Sequence, residues 1–179
     1  MLRKHLVAHA IGKVLEIGSG TGLNLPFFPS SCSVISIDIN SNHQEEFLKK
    51  RISAPCKVDY ARMDARHLAF PDNSFDSLLI TLGLCTIDDP ALALLEFSRV
   101  VKPGGTFLVI EHIFSNRPVI AELLNWLTPA WKIIAHGCHL NRRTNESILT
   151  AGFIPVYVRY LAKGLLMFSI YHKGAVESK

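Results

Sequence analysis

The chain has 179 residues, 49% hydrophobic and 19% charged, enough for one domain with a full core and too well supplied with apolar side chains to be disordered. Its net charge of +4, from 19 basic and 15 acidic residues, is too mild to mark a nucleic-acid binder, and none is expected as a partner. Cys32, Cys56, Cys85 and Cys138 are scattered with no C-x-x-C, which excludes a disulfide framework or zinc ribbon and fits a reducing, cytoplasmic setting.

The opening MLRKHLVAHA has too short an apolar run for a signal peptide. KVLEIG (Lys13 to Gly18), a short apolar run ending in glycine, reads as a buried parallel strand, and SVISIDI (Ser33 to Ile39) as a second. Ser41 with Gln44 makes a capping-box pattern that predicts a helix to about Arg51. KVDYARMD (Lys57 to Asp64) is a weaker third strand; FDSLLITLG (Phe75 to Gly83), entered through the turn PDNS, is a strong fourth. Asp89 should cap the next helix, with Pro90 in its first turn and Leu92, Leu95, Val100 and Val101 as its inner stripe. KPGG should stop it at Pro103 and Gly104, and TFLVIE (Thr106 to Glu111) is the fifth strand.

Two helical pieces follow, one from near Asn116 and Pro118, the other capped by Thr128, started by Pro129 and ended at Gly137. The long apolar stretch they share, Val119 to Ala135, is interrupted by Glu122, Asn125, Pro129 and Lys132 and does not read as a membrane span. A further helix runs from near Asn141 to Gly152, and IPVYVRYL and GLLMFSIYH close the chain as a hairpin around Lys163 and Gly164. Strand-then-helix units ending in a hairpin predict that residues 1–179 form one α/β domain: a doubly wound, Rossmann-like three-layer sandwich with a mostly parallel seven-stranded sheet and a C-terminal antiparallel hairpin. Ligands of such sheets sit beyond the carboxyl ends of the strands, where strand order reverses.

The glycines Gly18, Gly20 and Gly22 lie at that place. A dinucleotide fingerprint would have glycine where Leu23 stands, and a P-loop is excluded because no G-K-[ST] follows. Glu16, two residues before the turn, would repel a pyrophosphate. S-adenosylmethionine has no phosphate, and its donor end carries an ammonium and a sulfonium. At ~4 Å and an effective dielectric of ~20 one such charge pair is worth on the order of 4 kcal/mol before desolvation. The sign favours the methyl donor over NAD; the plainer alternative is a glutamate facing solvent at a strand end. Asp38, closing the second strand, is placed to accept from both ribose hydroxyls, and Ile39 beside it to pack on adenine. Asp64 is placed either to accept from the adenine amine or to cap the turn RHLAF.

Together VLEIGSGTG, Asp38, Asp64 with Ala65, FDSLLITLGL and VVKPGG resemble the motif series of class I S-adenosylmethionine-dependent methyltransferases over roughly Lys13 to Glu111. The resemblance implies that Gly18, Gly20 and Gly22 line the methionine and ribose, and Ser19 and Asn24 are counted with Glu16 among the cofactor-binding residues. It implies equally that Asp38 binds ribose, that Asp64 and Ala65 bind adenine, and that Thr81 approaches the methionine amine through its backbone. More narrowly, GSGTGLN before FFP, LGLCT, Glu111 with His112, and W-K-x-I…G-C-H-L-x-R from Trp131 to Arg142 are similar to a small group of membrane-associated thiol methyltransferases and phospholipid- or ubiquinone-type relatives. That implies methyl transfer to a small, hydrophobic thiol, amine or lipid acceptor. Such enzymes usually carry a longer N-terminal segment over the cofactor, whereas only about twelve residues precede the first strand here. On this reading the lid is missing, is supplied by LRKHLVAHA, or is borrowed from a partner subunit. An oligomer, or a catalytically silent cofactor-binding partner subunit, is therefore the alternative reading.

On the acceptor side, His112 after the fifth strand could take a proton, or could be bonded structurally to a backbone carbonyl. Cys85 is either a small buried apolar residue or part of the site. His136, Cys138, His139, Arg142 and Arg143 are too closely spaced for a metal centre, and no metal is expected; they shape the acceptor pocket or pack a helix connection. Trp126 and Trp131 either pack internally or face a lipid or hydrophobic substrate. With Lys132, Arg142 and Arg143 nearby, that second option allows a peripheral membrane contact.

Overall fold

The computed structural model describes residues 2–114, 122, 124, 126–129, 131, 139 and 142–174. Seven strands, β1 (Lys13–Ile17), β2 (Ser33–Asp38), β3 (Lys57–Arg62), β4 (Phe75–Thr81), β5 (Val101–His112), β6 (Phe153–Leu161) and β7 (Leu166–Lys173), form one sheet in the order β3-β2-β1-β4-β5-β7-β6. The first five run parallel; β7 is antiparallel to both β5 and β6. Among the described residues, helices are bounded at α1 (Leu2–Val7), α2 (Gln44–Arg51), α3 (Pro90–Val100) and α4 (Thr144–Thr150), and residues 122, 124, 126–129 and 131 are helical as well. This is the expected seven-stranded α/β sheet with its terminal hairpin, and strand order reverses between β1 and β4.

The central strands are apolar on both faces because both faces are covered. Leu15, Ile17, Leu78 and Ile80 point into one layer with Phe97, Phe107, Phe153 and Tyr171. Val14, Leu79, Leu108 and Ile110 point into the other with Leu6, Val7 and Phe47. Glu16, between Leu15 and Ile17, shares the second face.

Several local expectations are corrected. α2 starts at Gln44 without a side-chain cap; Ser41 contributes only its carbonyl, which accepts the Gln44 N–H at 3.1 Å. Asp89 caps α3 through the Leu92 N–H at 3.0 Å, as expected. The buried stripe of α3, however, is Ala93, Leu94, Phe97 and Val100, with Leu95 63% exposed. Arg99 explains the shift of face: its guanidinium binds Glu96, Asp72 and the carbonyls of Leu68 and Phe70, and so fixes the polar side of the helix. KPGG does not terminate the helix; it lies inside β5, which begins directly at Val101. Pairing with β4 jumps from Phe75↔Val101 to Ser77↔Thr106, so these residues form an irregularity in the strand. A Cβ at Gly105 would sit 2.7 Å from Val101 Cγ1 and 2.8 Å from the Lys102 carbonyl oxygen, which is why glycine stands there.

Thr128 is not a cap either. It lies among helical residues, and its hydroxyl donates to the Leu124 carbonyl at 2.6 Å. The link from β3 to β4 contains turns and no helix, and β1 passes to β2 through the 3-10 turn Leu25–Phe27, so the strand–helix alternation is incomplete. α4 starts at Thr144; the expected starts at Asn116 and Asn141 and the stop at Gly137 lie outside the described residues.

The corrected stripe gives a direct test. Phe97→Ala should cost about 3–5 kcal/mol in denaturant unfolding, while Leu95→Ala should stay within about 0.5 kcal/mol of wild type.

Candidate cofactor and acceptor site

Past β1 the backbone folds over the end of β2. Gly18 and Ser19 donate their N–H groups to the Ile37 carbonyl at 2.9 and 3.1 Å. Gly20 donates to Asp38 Oδ2 at 2.8 Å, while Asp38 Oδ1 accepts from Asn40 N–H at 2.9 Å. The half-buried Asp38 carboxylate is thus oriented by one backbone donor on each oxygen, with lone pairs left for a ligand. Gly22 has φ +76°, and a Cβ there would lie 2.7 Å from Leu25 Cδ1 and 3.2 Å from Phe47 Cδ2. Glycine is required at that position by both backbone and space.

A cleft of about 400 Å³ opens beyond the carboxyl ends of β1 to β4, and Gly18, Asp38, Ile39, Asp64 and Ala65 all line it. Ile39 is 55% exposed. Asp64 is gripped by Arg66, with Nη2 2.8 Å from Oδ2 and the Arg66 N–H 2.9 Å from Oδ1. The guanidinium's hydrogen bonds hold that carboxyl below its ordinary range. Asp64 therefore caps its own turn and stands on the cleft wall at the same time.

Glu16 is fully buried, which overturns the solvent-facing alternative. It pairs in register with Ser36 and Leu79. Ser36 Oγ donates to it at 2.5 Å and Asn24 Nδ2 at 2.7 Å. Burial, only partly offset by these hydrogen bonds, pushes its carboxyl up. Glu16 lies beneath the turn and, like its partner Asn24, does not line the cleft. Asn24 Nδ2 also reaches the buried Thr81 hydroxyl at 3.0 Å, and Arg3 from α1 donates Nη1 to Asn24 Oδ1 at 2.9 Å and to Thr81 Oγ1 at 2.5 Å. Thr81 thus engages through its hydroxyl. Ser19 Oγ, also buried, has no hydrogen-bond partner.

Glu111 was legible only as one letter of a resemblance, yet it organises the opposite wall. The fully buried carboxylate accepts the N–H groups of Gly83 at 2.5 Å, Leu84 at 2.7 Å and Cys85 at 3.3 Å. Just before them Leu82 adopts φ +57°, a left-handed conformation costly for leucine, and lines the cleft. Arg142 grips the same loop by its carbonyls, with Nη1 2.8 Å from Leu84 O and 2.5 Å from Ile87 O. The His139 N–H donates to the Cys85 carbonyl at 3.0 Å. The sequence signal for Glu111 was an acidic residue ending an otherwise apolar strand, the same signal that drew attention to Glu16.

His112 ends β5, half-buried, with burial lowering its pKa. Alternation along β5 puts it on the Ile110 face, and Ile110 is the register partner of Thr81. It does not line the cleft. Cys85 is buried, and Cys32 and Cys56 are free thiols. Among the described residues no three potential ligands cluster for a metal, and no helix is long and apolar enough to cross a membrane. Trp126 is 78% exposed. His136 and Cys138 fall outside the described residues.

A parallel sheet of this order, with a glycine turn and two aspartates around a cleft at its reversal point, defines a Rossmann-like cofactor-binding domain. The chain belongs to the methyltransferase domain family, which matches residues 15–129, and the cofactor of that family is S-adenosylmethionine. It is 37% identical over 156 residues to the thiol S-methyltransferase TMT1B of Rattus norvegicus, covering 82% of this chain and 62% of that protein. It is 39% identical over 188 residues to the ubiquinone/menaquinone biosynthesis C-methyltransferase UbiE of Cellvibrio japonicus, covering 90% of this chain and 74% of the relative. The chain thus spans about 62% of the length of the thiol S-methyltransferase. The YcgJ protein of Bacillus subtilis shares its fold, with a TM-score of 0.78 at 17% identity over 98% of this chain and 97% of that one. The residues present fit the cofactor: a buried hydroxyl on Ser19 without a partner, and a carboxylate on Asp38 with lone pairs to spare.

Burial outweighs three backbone donors and the Cys85 thiol in raising the Glu111 carboxyl to about 7, from an ordinary value of 4.5. Between those pH values the folded chain holds a proton that the unfolded chain has lost, so stability falls as pH rises through the window, by on the order of 3 kcal/mol. Denaturant midpoints at pH 5 and pH 7 should show this fall, and Glu111→Gln should flatten it.

Proposed function

We propose that this chain transfers the methyl group of S-adenosylmethionine to a small hydrophobic thiol. The observation that carries the reading is the sign of charge around the cleft. Asp38, Asp64 and Asp88 line it, and the lining Arg66 is committed to Asp64. That field suits a cationic donor and opposes a diphosphate. The likeness to thiol S-methyltransferases supports the acceptor class.

When bound, the donor supplies a methyl group on a positive sulfur, an electrophile that needs alignment and desolvation more than activation. Asp38 holds the ribose hydroxyls, Ile39 covers the adenine face, and Asp64 with Ala65 meets the adenine edge. Ser19 and the glycine turn take the methionine end. A free thiol is mostly protonated at neutral pH, so the acceptor side needs a base. We assign that role to His112, which ends β5 outside the cleft wall; burial favours its neutral imidazole, the form that accepts a proton.

Isothermal titration with S-adenosylmethionine should give binding, and mass spectrometry should find the thioether of an added alkyl thiol. Heat with NAD and none with S-adenosylmethionine would overturn the reading. Asp38→Ala should weaken cofactor binding by about 1–3 kcal/mol. His112→Gln should lower kcat about 10²-fold near pH 7 and less at pH 9, where thiolate forms unaided; an unshifted pH profile would remove the histidine from the reaction.

A further inference from the structure

Arg3 is tied to the buried node through one nitrogen. Nη1 spends both of its hydrogens, on Asn24 Oδ1 and Thr81 Oγ1. A guanidinium has five N–H donors, and those on Nε and Nη2 make no hydrogen bond to the described residues. The half-buried group therefore presents a two-nitrogen edge, the fork that matches a carboxylate bidentately. Arg3 and Glu16 do not touch directly. Asn24 stands between them, donating to the carboxylate and accepting from the guanidinium. Of the two ionisable ends of this node only the guanidinium is partly exposed, because Glu16 is fully buried beneath the turn.

An amino-acid zwitterion carries its own two poles on one carbon. The cleft wall ends at Gly18 and Leu82. The residues adjoining them in the chain, Ser19 with its unpartnered hydroxyl and Thr81 with Arg3 on it, lie where the methionine end would continue from the ribose. We infer that Arg3 receives the carboxylate of the cofactor's methionine end through Nε and Nη2, while Thr81 and Asn24 hold the guanidinium in place through Nη1. The inference rests on the proposed donor and assigns α1 a share in binding it.

The test uses two probes that differ in one group: S-adenosylhomocysteine and its decarboxylated analogue, which keeps the ammonium. Wild type should bind S-adenosylhomocysteine about 10- to 100-fold more tightly than the analogue, the scale of hydrogen bonds to a charged group. In Arg3→Ala that preference should vanish, because the protein loss and the ligand loss remove the same interaction. Arg3→Lys, which keeps the charge without the fork, should retain part of it. Equal weakening of both ligands in Arg3→Ala would make the arginine a structural tie of α1. Tighter binding of S-adenosylhomocysteine by the variant would make it a competing cation. Either result overturns the inference while leaving the donor intact. A wild type that binds neither ligand overturns the donor assignment and the arginine's role with it.

Discussion

A fully buried carboxylate has to be hydrogen-bonded, because water is not there to solvate it. This chain places two such groups near the carboxyl ends of strands, one on β1 at the reversal of strand order and one on β5 beside β4, and each recruits a loop. Glu16 on β1 draws in Asn24, eight residues along the glycine turn, and Ser36 of the neighbouring strand. Glu111 on β5 gathers three consecutive N–H groups of the loop after β4. The two walls of the cleft are thus held from below by buried carboxyl groups the ligand need never touch. Parallel strands supply the rigid base, and the glutamates convert that rigidity into loop position.

The strands were legible because burial on both faces leaves an uninterrupted apolar run. Leu78 to Ile80 is such a run, and Val14 to Ile17 and Val34 to Ile37 are each broken by a single polar residue, Glu16 and Ser36. The failures were local and have local causes. The glycines of KPGG looked like a helix stop, but they serve a close approach of Gly105 to Val101 and Lys102 within a strand. The stripe on α3 depended on phase, and an arginine clasp fixed that phase, which the hydrophobic pattern does not encode. Thr128 beside Pro129 looked like a cap, whereas its hydroxyl bonds back to the carbonyl four residues earlier.

At the site, local spacing, with the family resemblance for Asp64 and Ala65, revealed residues that line the cleft and concealed those that hold it. Gly18, Asp38 and Ile39 follow directly from strand ends, so their positions could be read from sequence. Arg3 could not. It lies 21 residues from Asn24 and 78 from Thr81, and the contact depends on the reach of a long side chain from a separate helix. Glu16 was noticed for its charge, but its neighbours were not, since register between β1 and β2 sets them.

The loop after β4 connects the two halves of the site. Its N–H groups point to Glu111, and its carbonyls at Leu84, Cys85 and Ile87 are taken by Arg142 and His139. Those two belong to the segment read from sequence as the acceptor side, whereas Leu82 and Gly83 of the same loop line the cleft. With N–H groups and carbonyls held from opposite sides, the loop has little freedom to rearrange without breaking charge-assisted bonds. Leu82 remains left-handed because its surroundings over-determine it. Movement of the Arg142 segment would therefore be transmitted to the donor cleft through two or three peptide units.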